Sequence, residues 1–366
     1  KAAALLRLVA VAIALVLACA GARAEPCLAV QSGLRCAQCH VNQTGGGLRT
    51  PFGNLYAQTQ LAANRWPDAA AGWSGQLGSL FALGANVRAA GTRTDVAGSR
   101  QTESFDLREA RVYLSFTPIA DRLSFYLDHY LRPGSAQNRE AFVRYSAADG
   151  SHYVKAGRLY LPFGWRLQDN SAFVRSQSAI DMTGPDRGVE VGWDGGPLSL
   201  QLAVSNGTFG ESEVDSGKQY ALQAAYVQPD WRVGAAANVN DQAIGDRAAW
   251  ALFGGLRTGP VAWLAEVDWI EDRSSSPTPS GKLRSLAWLL EGNWRLAQGH
   301  NLKASMEGLD PNRDVAGDRQ TRFSTVYEYT PIPFLQLRVG ARRFDGPSRL
   351  ALQNRRVVFF ELHGFF

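Results

Sequence analysis

From about Gly75 to the C-terminus, apolar and polar residues alternate in segments of about ten, separated by turn residues. Tyr220, Leu222, Ala224 and Tyr226 share one parity, while Gln219, Ala221, Gln223 and Ala225 take the other. Phe323, Thr325, Tyr327 and Tyr329 alternate in the same way with Arg322, Ser324, Val326 and Glu328, and Leu335, Leu337, Val339 and Ala341 with Gln336, Arg338, Gly340 and Arg342. A period of two marks strands whose two faces meet different surroundings, but a water-soluble sandwich also alternates. The connections separate the two cases. Tight turns fall at Thr117-Pro118-Ile119-Ala120, Ala148-Asp149-Gly150, Asp194-Gly195-Gly196-Pro197, Gln228-Pro229-Asp230, Arg257-Thr258-Gly259-Pro260 and Thr330-Pro331-Ile332-Pro333. The intervening connections are long and polar, as at 205–219, 271–282 and 309–322. Sorting of short and long connections is the habit of a transmembrane barrel, with periplasmic turns at one end and extracellular loops at the other. The pattern predicts an all-β antiparallel barrel of about sixteen strands over 75–366, with both termini on the periplasmic side.

The last strand, from Arg356 to Phe366, puts Val358, Phe360, Leu362 and Phe366 on one face and ends on an aromatic residue. That resembles the C-terminal signature read by the barrel-assembly machinery, and it implies outer-membrane lipid and that machinery as partners. At the other end, Lys1 and Arg7 precede an apolar run from Leu8 to Ala18, and Ala22-Arg23-Ala24 is followed by Glu25-Pro26. The run is shorter than the roughly 18 residues a membrane-spanning helix needs, and a small-x-small site follows it, so 1–24 reads as a secretory signal peptide cleaved after Ala24. A lipoprotein signal using Cys19 fits only loosely. Export places the chain in a Gram-negative envelope.

Charge removes one class of function. The formal net charge is +5, but Lys1, Arg7 and Arg23 belong to the signal, which leaves +2 on the mature chain. No basic block with interleaved aromatics is present, so nucleic acid is not an expected partner.

The chain has 4 Cys, and two of them stand in Cys36-Ala37-Gln38-Cys39-His40. Two thiols at this spacing can add to the two vinyl groups of haem, and the next residue, a histidine, can reach the iron. A thioredoxin-like redox pair would need a βαβ context, and a zinc site a second Cys/His pair at suitable spacing; neither surrounds this motif. A Cys36–Cys39 disulfide is the remaining alternative in an oxidising compartment. The expectation is one haem c in a segment spanning 25–74, tethered by Cys36 and Cys39 with His40 as proximal ligand. Cys27 is left over without a role.

From Glu25 to Gly72 the sequence holds no Met, and His40 is its only His. The iron therefore has an open sixth position, or its ligand comes from elsewhere in the chain. The candidates are Met182, Met306, His129, His152, His300 and His363. Parity puts Met306 and His129 on the lipid side and His363 inside, and His300 falls at a periplasmic turn. The connection from Leu161 to Arg187 is too long for an idle turn. It is expected to fold into the lumen, carrying Trp165, Arg166, Phe173, Arg175 and Met182, which makes Met182 the distal ligand candidate and His363 the weaker one. Inward parity also gives a mixture of charges, Arg111, Arg144, Glu266, Asp268, Glu291, Lys303, Glu307, Glu328, Arg338 and Arg342, which fits a hydrated or protein-filled interior.

Ala156-Gly157-Arg158, Leu161-Pro162-Phe163-Gly164 and Gly188-Val189-Glu190-Val191-Gly192 together resemble the phosphate-selective type of porin. An exported CxxCH ahead of a porin-type barrel resembles the fused monohaem cytochrome–porins typified by the outer-membrane iron-oxidising cytochrome. Thr50-Pro51-Phe52-Gly53 stands at a distance from the haem motif comparable to that family's Thr-Pro-Phe-Gly element, while Asn42-Gln43-Thr44-Gly45-Gly46-Gly47 departs from its best-known iron oxidisers. The resemblance implies an outer-membrane electron conduit between an extracellular donor or acceptor, with Fe(II) one such donor, and a periplasmic c-type cytochrome or other soluble carrier. A passive or anion-selective porin, with the haem segment as plug, gate or redox sensor, is the alternative.

Overall fold

The computed structural model describes residues 25–65, 72–96, 98–131, 136–213, 215–242, 245–273 and 281–366. The expected signal peptide, Cys19 included, lies outside the described residues.

Alternation in the sequence becomes one closed sheet. Its strands are β1 (Gln76–Leu77), β2 (Phe81–Val96), β3 (Thr102–Ile119), β4 (Leu123–Tyr130), β5 (Gln137–Ser146), β6 (His152–Leu159), β7 (Asp186–Gly195), β8 (Leu198–Ser205), β9 (Gln219–Val227), β10 (Trp231–Asn240), β11 (Arg247–Thr258), β12 (Val261–Asp272), β13 (Leu283–Ala297), β14 (His300–Asp310), β15 (Gln320–Ile332), β16 (Leu335–Asp345) and β17 (Arg355–Phe365). The short β1 pairs with the start of β2. From β2 on, each strand pairs antiparallel with the next, and β17 returns to β2 in the register Arg355↔Val96 to Phe365↔Asn86. Setting β1 aside, the seventeen strands leave a ring of sixteen, and no edge is left unpaired within it.

Connections 120–122, 147–151, 196–197, 228–230, 259–260, 298–299 and 333–334 gather at one end, here the turn end. The longer ones gather at the loop end. His300, expected in a turn, is the first residue of β14, stacked on Tyr329 with ring centroids 4.6 Å apart.

Outward positions are apolar and bare. Val189, Leu222, Val233, Leu252, Val339, Val358 and Met306 are exposed. Near the turn end, Phe81, Phe125, Tyr145, Trp231, Trp263, Trp294 and Tyr327 face outward and exposed, and Phe105, Tyr220, Trp250 and Phe323 do so nearer the loop end. An apolar band between two aromatic girdles is the outer surface of a transmembrane barrel.

Inside, the lumen is filled with protein. Of the inward charges that parity predicted, Arg111, Glu266, Asp268, Glu291, Glu307, Glu328 and Arg338 are buried and Arg144, Lys303 and Arg342 half-buried, which fits a protein-filled interior. Two segments fill it. Residues 25–64 enter at the turn end as three short helices, α1 (Pro26–Ser32), α2 (Cys36–Cys39) and α3 (Pro51–Tyr56), the last running into a wider π turn at Ala57–Leu61. Backbone bonds from Ala63 N to Thr330 O (2.8 Å) and Asn64 N to Pro331 O (3.1 Å) fix its exit. Arg232 donates to Ala29 O and Leu34 O, and Arg35 pairs with Asp194 at 3.0 Å.

The connection 160–185 folds in from the loop end, as its length suggested, with α4 (Phe173–Ser178) at its centre. Its backbone donors meet lumen carboxylates: Trp165 N to Glu266 (3.0 Å) and Phe173 N to Glu307 (2.9 Å). Arg175 forms a buried ion pair with Glu266, and Asp169 pairs with Arg322 and Arg342. Phe163, Trp165, Phe173 and Val174 pack among them.

Candidate functional site

The motif residues 36–40 are shaped by a hairpin-like return of the chain. Val41 N donates to Leu48 O (3.0 Å), Thr50 N to Cys39 O (3.1 Å), and His40 bridges antiparallel to Arg49. Between these two arms lies the glycine stretch, with Gly45, Gly46 and Gly47 all left-handed at φ 90, 81 and 69°. Three such residues in a row need glycine. A methyl group built on Gly47 would also lie 2.3 Å from the Tyr126 hydroxyl, which accepts from Leu48 N. Asn42 is tied to the wall by a 2.6 Å bond to Glu140.

Thr50-Pro51-Phe52-Gly53 has a structural cause here. Thr50 caps α3 by accepting from Gly53 N (3.1 Å), and its hydroxyl donates to Gln38 O (2.7 Å), so one side chain joins α3 to α2. Pro51 opens the helix where no N–H is needed. A Cβ on Gly53 would stand 2.2 Å from Cys39 O. The element holds α3 directly against the CxxCH turn.

Cys36, Cys39 and His40 line one cavity of about 550 Å³, together with Arg49, Tyr56 and Arg166. A second, of about 720 Å³, adjoins it toward His300 and Glu328, sharing Glu25, Leu28, Tyr56 and Leu61. Cys36 and Cys39 are both free thiols, so the disulfide alternative is not what the structure holds. Burial raises the Cys36 pKa and lifts that of Cys39 to about 11. A redox-active CxxC has the opposite character, a stabilised thiolate. Burial, with Arg49 adding to it, lowers the pKa of His40 to about 3, so the imidazole is neutral at physiological pH, the form that binds a metal. His40 Nδ1 is buried with no hydrogen-bond partner. Among the described residues no cluster of three His, Cys, Asp or Glu side chains is placed to hold a metal ion.

These features fit a covalently held porphyrin in their chemistry: two reduced cysteines and a neutral histidine line one cavity. Met182 is not part of the cavity lining. Its thioether packs beside the glycine stretch, where a methyl built on Gly46 would lie 3.7 Å from Sδ and 3.5 Å from Arg166 Cδ. His363 is buried in the lumen, stacked on Phe365 at 5.1 Å, with Nε2 3.0 Å from Asn86 Oδ1. Met306 faces outward, as parity required, and His152 is exposed. His129 bonds Asn138 through Nδ1 at 2.6 Å. Cys27 is buried in α1 with its thiol 3.6 Å from the Glu25 carboxylate, and burial and that carboxylate keep it protonated.

Sequence reasoning did not find Arg49, Tyr126 or Asn42. An arginine in a polar stretch reads as solvated, and only the return of the chain after Gly47 places Arg49 opposite His40.

No protein-family profile matches the chain, and no curated protein matches it. Solved structures do. A loop-deletion form of OmpT, an outer membrane protein of Vibrio cholerae, matches with a TM-score of 0.60 at 12% identity, covering 79% of this chain and 100% of that one. An anion-selective porin from Comamonas acidovorans matches with a TM-score of 0.61 at 11% identity, covering 78% and 99%. A mutant of the Rh. blastica porin matches at 0.55 and 14%, covering 78% and 100%. At these identities the likeness concerns the fold: the chain is a porin-type barrel.

Proposed function

We propose that this chain is an outer-membrane electron conduit of a Gram-negative bacterium, a porin-type barrel carrying one haem c inside its turn end. The turn end faces the periplasm and the loop end the exterior. The observation that carries the reading is the position of the CxxCH cavity within a lumen most of whose wall charges are buried by protein. A solute pore needs a continuous water path, whereas electron passage needs a redox centre that donor and acceptor can each approach closely.

Cys36 and Cys39 would hold the group by thioethers and His40 would supply the proximal nitrogen. Bound there, the haem supplies a one-electron carrier whose potential is set by axial ligand and burial. α1 and α3 line the cavity from the turn end, and Arg166 of segment 160–185 lines it from the loop end. Met182, outside the cavity lining but beside the glycine stretch, would be the thioether available to such a group from segment 160–185. Electrons would pass between an extracellular donor such as Fe(II), or an acceptor, and a periplasmic c-type cytochrome or comparable soluble carrier.

Reconstituting the purified protein into liposomes tests this. External Fe(II) should reduce the haem and then an enclosed acceptor, with no release of a trapped small anion. The second reading, a passive or anion-selective porin with the segment as plug, draws on the fold shared with an anion-selective porin. Free anion release together with a haem that external donors do not reduce would establish it instead.

A further inference from the structure

We propose that Arg49 and Arg166 form the anion-binding side of the CxxCH cavity and each take one of the two propionate carboxylates of a c-type haem. The inference rests on the haem reading above and names what that reading leaves open, the residues that orient the group.

Most other buried arginines of the lumen have carboxylates, and Arg139 and Arg232 donate instead to the carbonyls of Thr183 and of Ala29 and Leu34. Arg111 pairs with Glu109 and Asp128, Arg175 with Glu266, Arg322 with Glu307, and Arg338 with Glu328 and Glu361. Arg49 does not. It is 4% exposed, Nη1 is buried without a hydrogen-bond partner, and among the described residues it makes no ion pair. Its guanidinium lies instead against the ring of Phe365, with its carbon 5.3 Å from the ring centre. A cation taken out of water without a counter-ion is strongly disfavoured. Arg166 lines the same cavity, lies over Tyr160 at 5.1 Å, and likewise has no ion pair among the described residues.

The cavity's carboxylate is already engaged, since Glu25 pairs with Lys303 and Arg338. Arg35, a third arginine on the lining, pairs with Asp194. Two guanidiniums unmatched by protein therefore face a space that also holds both thiols and the histidine. A guanidinium takes a carboxylate through two parallel N–H donors. Haem c brings two carboxylates, which equals the number of arginines on this cavity's lining that have no carboxylate.

Arg49→Met, Arg49→Lys and Arg166→Met in the full-length haem-loaded protein test the assignment, with midpoint potential and thermal midpoint in detergent as readouts. Removing a cation near the iron favours the oxidised form, so Arg49→Met should lower the potential and the melting temperature, and Arg49→Lys should restore most of both. Arg166→Met should lower the potential independently, and the double variant more than either. The control is Arg49→Met in a Cys36→Ala, Cys39→Ala chain, which carries no attached haem: there the same substitution should raise the melting temperature, because an uncompensated buried charge is removed. Equal destabilisation with and without haem, or an unchanged potential, would overturn the proposal. Should Arg49→Met not fold, the Lys variant and Arg166→Met decide the question through the same two readouts. A wild-type polypeptide blank to haem stain would instead refute the conduit reading, a different failure.

Discussion

Gly53 shows how one atom shapes the site. A Cβ there would sit 2.2 Å from Cys39 O, a backbone atom that cannot swing aside. Gly53→Ala must therefore push α3 away from the CxxCH turn. Overpacking of this kind costs about 1–3 kcal/mol. The expected outcome is a reduced fraction of haem-stained polypeptide with the barrel intact by gel mobility; full haem attachment would show that α3 can move freely. Met182 supports a second prediction at this scale. If its thioether completes the iron's coordination, Met182→Ala changes the haem absorption spectrum and lowers its potential, and a wild-type spectrum excludes it.

At the scale of elements, the segment 160–185 is pinned by charge more than by length. Arg175 sits between Phe163 O (3.0 Å), Ile180 O (3.2 Å) and the Glu266 carboxylate, and is almost fully buried. Arg175→Met leaves Glu266 in the lumen without its cation. Breaking one side of a buried pair costs about 3–5 kcal/mol. The segment should loosen before the barrel melts, so limited proteolysis should cut within 165–180 in the variant and not in the parent; an uncut variant would mean that Phe173 N to Glu307 and the apolar packing suffice. Legibility from sequence also divides at this scale. Strands were legible because parity is local: Gln219, Ala221 and Gln223 are buried and Tyr220 and Leu222 exposed, as their alternation required. The connection 160–185 was legible as an inward fold from length alone. What it packs against was not, because the pairing of Arg175 with Glu266 links residues 91 positions apart through barrel closure. Arg49 was illegible for the same reason on a shorter span: its partner across the hairpin is His40, and nothing in a polar string marks a cation that has lost its water.

For the whole molecule, a sixteen-stranded ring has room for a channel, and the proteins whose fold it shares include an anion-selective porin. Here two segments fill that room from opposite ends. Residues 25–64 are held at the turn end by the strand-end contacts of Thr330, Pro331, Arg232 and Asp194, and 160–185 is held deeper by Glu266, Glu307 and Arg322. Their wall anchors are separate, although Arg166 and Met182 pack beside the glycine stretch, so removing one segment should loosen the other without releasing it. In planar bilayers the intact chain should conduct far less than an open porin of its strand number. Deleting 25–64 alone should give a modest rise, since Trp165, Phe173 and Arg175 still cross the lumen. Replacing 165–180 by a short glycine linker should also give a modest rise. Only the double deletion should open a full-size pore. A large, steady conductance in the intact chain would mean that both segments leave the lumen in the membrane, and with them the sealed surroundings that distinguish a conduit from a pore.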